Sequence, residues 1–158
     1  MKKEAIFIAL LLLITVIPVY QQSEGVTVTH SKQEGLINIT AQEAWEMLNN
    51  EDDGIQIPVD VRTLQEYFDE RISSPHSYDK PVLYPLQLLE MPLFANLFVK
   101  LFHGKEVILY CRTARRSGIA GNIILEGGYD GTLYNMIGGI VAWKDAGLPT
   151  VKGFGFGS

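Results

Sequence analysis

The sequence predicts an α/β fold: a three-layer domain whose central, mostly parallel sheet of about five strands is covered by helices on both faces. Three observations carry this. Short apolar runs of strand length alternate with helical patterns along the chain. Two Thr-x-x-Glu sequences, Thr40–Glu43 and Thr63–Glu66, have the form of helix-opening capping boxes directly after such runs. A third run, Val107-Ile108-Leu109-Tyr110, ends at the lone cysteine, Cys111, immediately before another helical pattern.

Taken in order, Leu36-Ile37-Asn38-Ile39 is a strand, and the helix opened by Thr40 runs through about Asn50 with Ala44, Trp45 and Leu48 on its apolar face. Ile55 to Val61 is a second strand, ending at Asp60-Val61-Arg62, and the helix opened by Thr63 runs toward Arg71. Ser73 to Pro85 reads as a loop with a short extended piece at Pro81-Val82-Leu83-Tyr84, and Leu86 to Phe102 as one long, very apolar helix. Glu106 to Tyr110 is the strand that delivers Cys111. A helix from Arg116 to Glu126 closes at Gly127-Gly128. Leu133 to Met136 is the last strand, and after Gly138-Gly139 a short helix over residues 140–146 stops at Gly147-Leu148-Pro149. In such sheets functional groups gather at the carboxyl ends of the strands, where Asp60 and Cys111 both lie.

The chain of 158 residues, 47% hydrophobic and 20% charged, has the composition of one globular domain with a real core. Its net charge of −5 argues against nucleic acid as a partner, so any anion site must be local. The domain is expected over residues 36–152, after a polar linker at 23–35 and before a glycine-rich flexible tail at 153–158. Residues 1–22 open on Met1-Lys2-Lys3 and continue into an apolar run from Ala5 to Tyr20, which reads as a secretory signal or a retained N-terminal membrane anchor. The expectation is an exported protein, periplasmic or at the cell surface, with membrane association through that segment and a monomeric state otherwise. An exported protein with one cysteine has no internal disulfide, so Cys111 is not a structural staple.

Cys111 at a strand-to-helix turn faces the N–H groups of that turn and the positive end of the following helix, and Arg112, Arg115 and Arg116 add positive charge. These are the causes that favour thiolate over thiol. The N–H groups of residues 112–116 form an expected anion nest, lined by Arg112, Thr113, Ala114, Arg115 and Arg116, with Arg112 and Arg115 contacting an incoming anion. Arg116 is expected to pair with Asp60 and hold the loop in shape, with Ser117 supporting it, while Arg62 and Glu66 read as a solvated pair. His30, His76 and His103 are scattered and no phosphate-binding glycine motif is present, so no metal or other cofactor is expected.

Three motifs in order resemble the single-domain rhodanese-like sulfurtransferases over roughly residues 36–152. They are Asp60-Val61-Arg62 with Glu66-Tyr67, the loop Tyr110-Cys111-Arg112-Thr113-Ala114-Arg115-Arg116-Ser117, and Asn135-Met136-Ile137-Gly138-Gly139 leading to Trp143 and Gly147-Leu148-Pro149. The resemblance implies the rhodanese-like three-layer fold and a Cys111 persulfide that moves sulfur from thiosulfate, or a similar small sulfur-containing anion, to cyanide or a thiol. The chain departs from the family at Glu70-Arg71-Ile72, where Gly-His-Ile is usual, and at Ala114, where glycine is common. Two alternatives stand beside this reading. One is a persulfide carrier docking on a specific protein. The other is a cysteine phosphatase, disfavoured because phosphatases place an arginine six positions after the nucleophile, where this chain has Ser117.

Overall fold

A computed structural model describes residues 35–50 and 56–154. The leader, nearly all of the linker and the last four residues, 155–158, lie outside the described residues, as does Ile55 at the start of the second expected strand. No helix among the described residues is long and apolar enough to cross a membrane.

The chain runs β1 (Leu36–Ile39), α1 (Ala41–Asn49), β2 (Gln56–Asp60), α2 (Leu64–Asp69), β3 (Arg71–Ile72), then a 3₁₀ turn at Ser77–Asp79 and β4 (Val82–Leu83). It continues through α3 (Leu86–Leu89), α4 (Pro92–Leu101), β5 (Glu106–Tyr110), α5 (Arg115–Glu126), β6 (Thr132–Met136), α6 (Gly139–Asp145) and β7 (Thr150–Val151). Five strands form one parallel sheet in the order β1-β6-β5-β2-β4, and β3 pairs with β7 in a separate antiparallel ribbon. The α/β sandwich predicted from the sequence is the observed fold.

β5 lies at the centre and is buried on both faces, which is why it reads as an unbroken apolar run. The two-residue alternation of a strand sends Val107 and Leu109 into one core with Phe98, Ile124 and Cys111, and Ile108 and Tyr110 into the other with Met136, Leu48 and Trp143. Both capping boxes form: Thr40 with Glu43 opens α1, and Thr63 with Glu66 opens α2. Each satisfies N–H groups that a helix start otherwise leaves without partners. Pro58 is tolerated in β2 because β4 pairs only with Val59 and Asp60, leaving Pro58 where the strand has a single paired neighbour.

The expected helix over 86–102 is two helices. Pro92 stands at the first turn of α4, where its missing N–H costs nothing; within a continuous helix its ring would strike the preceding turn. β3 and β7 were not predicted, since two-residue strands carry no readable period. Glu70 and Arg71 tie this ribbon in place: Glu70 accepts from Lys144 at 2.5 Å and Thr150 at 2.9 Å, and Arg71 donates to the Gly153 carbonyl at 2.8 Å. The ring of Phe154 lies 4.3 Å from that of Phe68, so the expected tail begins with two residues packed on α2.

Candidate active site

β5 ends at Tyr110 and the chain turns sharply through residues 111–114 into α5. Helix α5 starts at Arg115, one residue earlier than expected. Ala114 occupies the position before the helix with φ 77°, the only non-glycine residue with positive φ among those described. Glycine would adopt this conformation freely, whereas Ala114 holds the left-handed turn at the cost of local strain.

This turn directs backbone toward Cys111, which is 1% exposed. Burial pushes the Cys111 thiol up. The N–H of Ser117, the Ser117 hydroxyl and the N–H groups of Thr113 and Arg116 outweigh that effect, and the thiol lies below its ordinary value of 9.0. Of the nest expected from residues 112–116, Thr113 and Arg116 direct their N–H groups to the sulfur, and Ser117 joins them. Ser117, expected only as loop support, reaches the sulfur itself: its Oγ lies 3.6 Å from Sγ and 3.1 Å from the Ala114 carbonyl. A hydroxyl has one proton, so it serves either the sulfur or that carbonyl at any moment.

The far side of the loop is held by the Gly138-Gly139 turn. The N–H of Ile140 donates to the Cys111 carbonyl at 2.9 Å and that of Val141 to the Arg112 carbonyl at 3.3 Å. Gly139 has φ 56°, and a Cβ there would come within 2.4 Å of the Cys111 carbonyl oxygen and 2.6 Å of the Arg112 backbone. Only glycine permits this approach.

The carboxylates pair differently from the sequence expectation. Arg116 does not meet Asp60; it binds Glu66 in a two-pronged pair, Nη1 to Oε2 at 2.7 Å and Nη2 to Oε1 at 2.6 Å. Asp60 is fully buried and taken by Arg62, whose Nη2 lies 2.6 Å from Oδ2 and whose Nε lies 2.9 Å from Oδ1. With its own arginine two residues away, Asp60 has no need of Arg116. Arg62 goes on to donate to the Glu70 carbonyl at 2.7 Å and lies over the Tyr110 ring at 5.7 Å. Arg62 and Glu66, expected as a solvated pair, instead anchor two separate ion pairs beneath and beside the loop.

Glu66 does two jobs. Its carboxylate closes the capping box of α2 through Thr63 and grips Arg116, and the Arg116 hydrogen bond, against partial burial and with help from Thr63, lowers it from 4.5 to about 2. Sequence pattern reveals the cap, but the second job needs the 50-residue separation to Arg116 to close in space. Arg112, Thr113 and Arg115 are exposed, and neither Arg112 nor Arg115 has an ion pair among the described residues. No cluster of His, Cys, Asp or Glu among the described residues could hold a metal ion.

A buried sulfur met by three N–H donors at the start of a helix, in a loop that also carries the exposed Arg112 and Arg115, is suited to stabilise a thiolate and bind a small anion next to it. Residues 40–146 match the rhodanese-like domain family, more than half of the chain. The chain belongs to this family.

Among curated relatives, the domain is 34% identical to a sulfurtransferase of Allochromatium vinosum over 59% of this chain and 76% of that protein. It is 38% identical to an uncharacterized protein of Synechocystis sp. over 61% of this chain, and spans about half, 47%, of that relative's length. Among solved structures, the rhodanese-like domain of an Anabaena protein superposes with a TM-score of 0.59 at 18% identity, covering 73% of this chain and 78% of that one. The thiosulfate sulfurtransferase of Pseudomonas aeruginosa gives 0.60 at 20% identity, covering 75% of this chain and 20% of that chain. These structures share the fold of this rhodanese-like domain.

Proposed function

We propose that this rhodanese-like domain is a sulfurtransferase that takes sulfane sulfur from thiosulfate or a similar anion onto Cys111 and passes it to cyanide or a thiol. Sulfur transfer as a class is supported by the family and by the Allochromatium sulfurtransferase. The observation that carries the finer reading is the Cys111 sulfur set among the N–H groups of Thr113, Arg116 and Ser117 with its pKa lowered.

In the first half-reaction the Cys111 thiolate attacks the outer sulfur of thiosulfate. A sulfur–sulfur bond forms to Cys111, the bond to the sulfonate sulfur breaks, and sulfite leaves with the electron pair. Arg112 and Arg115 meet the dianion, and the N–H nest stabilises the negative charge as it moves from Sγ to the outer sulfur. In the second half-reaction the acceptor's lone pair attacks the outer persulfide sulfur, and Cys111 departs as thiolate. No proton or electron is gained or lost overall.

Intact mass after incubation with thiosulfate tests the reading. The wild-type chain gains about one sulfur atom, and Cys111→Ser gains none and loses thiocyanate production by at least about 10³-fold. A Cys111→Ser protein with the wild-type rate overturns it. So does hydrolysis of an aryl phosphate without sulfur loading.

A further inference from the structure

The acceptor side of the site carries more surface than a small nucleophile can use. Ile137 and Val141, 43% and 40% exposed, flank the Gly138-Gly139 turn that presses on the backbone of Cys111 and Arg112. Leu64, 58% exposed, opens α2 two residues before Glu66, the residue that holds Arg116 of the loop. Leu64, Ile137 and Val141 are apolar side chains left in water just past the ends of β2 and β6, at the same carboxyl edge of the parallel sheet as the exposed Arg112 and Arg115, on a chain whose net charge is −5. Cys111 itself is 1% exposed, so whatever takes its sulfur must meet the outer persulfide atom, which a persulfide carries about 2 Å farther out than Sγ. Cyanide reaches that atom without touching Leu64, Ile137 or Val141.

We propose that the acceptor is a cysteine on a projecting, acidic segment of another protein, which docks on the rim formed by Leu64, Ile137 and Val141 with its carboxylates against Arg112 and Arg115. This rests on the sulfur-transfer reading above and names the class of its second substrate. The acceptor thiolate attacks the outer sulfur, a new sulfur–sulfur bond forms on the partner, the bond to Cys111 breaks and Cys111 leaves as thiolate. The charge complementarity selects the partner: an acidic segment is attracted to two exposed guanidinium groups that have no carboxylate partner among the described residues, and a basic one is repelled. Apolar residues beside its cysteine would cover the exposed rim and displace water from it.

The test uses the full chain preloaded from thiosulfate, with two short reduced peptides as probes. Both carry a central cysteine beside leucine and valine, one with flanking aspartates and the other with lysines in their place. The aspartate peptide is expected to take sulfur about tenfold faster per unit concentration at low salt, with the gap closing near 0.5 M salt as the charges are screened. The double variant Leu64→Ser/Ile137→Ser should slow transfer to the aspartate peptide about fivefold. It should leave thiosulfate loading and discharge to cyanide within about twofold. Equal rates for the two peptides overturn the proposal, and so does a double variant that slows cyanide and peptide alike. Absence of sulfur on Cys111 by intact mass is a separate result, which removes the sulfur-transfer reading and this one with it.

Discussion

Two pairs of arginines near Cys111 carry the same guanidinium in opposite circumstances. Arg62 and Arg116 are each gripped by a carboxylate, Asp60 and Glu66, through two-pronged contacts as short as 2.6 Å. Arg112 and Arg115 stand exposed on the loop with no carboxylate partner among the described residues. A guanidinium already neutralised by a carboxylate shapes the loop, whereas one left open can bind an incoming anion. Residue type is shared; the available partner assigns the role.

The difference can be broken from either side. The largest expected effect is on the inner pair: Asp60→Ala leaves the buried Arg62 without its counter-charge and should destabilise the domain by about 3–5 kcal/mol in chemical denaturation. A loss under about 1 kcal/mol would mean that Arg62 escapes to solvent. The outer pair should behave conversely. Arg112→Ala/Arg115→Ala is expected to lower kcat/KM for thiosulfate loading about 30-fold, about 2 kcal/mol of transition-state stabilisation, with the denaturation midpoint unchanged. An unchanged rate would assign anion binding to the backbone N–H groups alone.

Glu66→Gln lies between the two. It removes the grip on Arg116, costs about 1 kcal/mol of stability, and also alters acid sensitivity. Glu66 is lowered to about 2 in the fold from an ordinary 4.5, so its contribution is complete above 4.5 and is lost as pH falls from there toward 2. The wild type should lose stability more steeply than Glu66→Gln across that window, and parallel curves would refute the assignment. The smallest effect is expected at the strained turn: Ala114→Gly relieves the positive φ and should raise stability by about 0.5–1 kcal/mol, read as an upward shift in Tm. A lower Tm would show that the left-handed turn carries no strain.

Much of this was legible before any coordinates. The two capping boxes, the apolar β5 and the Gly127-Gly128 stop are local signals, because a helix start, a strand and a helix end each depend on neighbours a few residues away. Cys111 was legible for the same reason, lying between an unmistakable strand and an unmistakable helix. The break at Pro92 was also written in the sequence, but the apolar stripe on either side of it read as one helix. The β3–β7 ribbon was not legible, since its pairing joins segments far apart in the chain and each strand has only two residues.

The sequence by itself determined the α/β class, the succession of elements around the sheet, and a thiol placed to meet the start of a helix, all through periodicity and capping acting over short range. Tertiary structure decided which carboxylate holds which arginine, that Ser117 reaches the sulfur and that Ala114 takes a left-handed turn. It also decided which guanidinium groups remain open to an anion. Those outcomes depend on distances between side chains up to 50 residues apart, and a charge that finds a partner at hydrogen-bond distance has little left to offer a substrate.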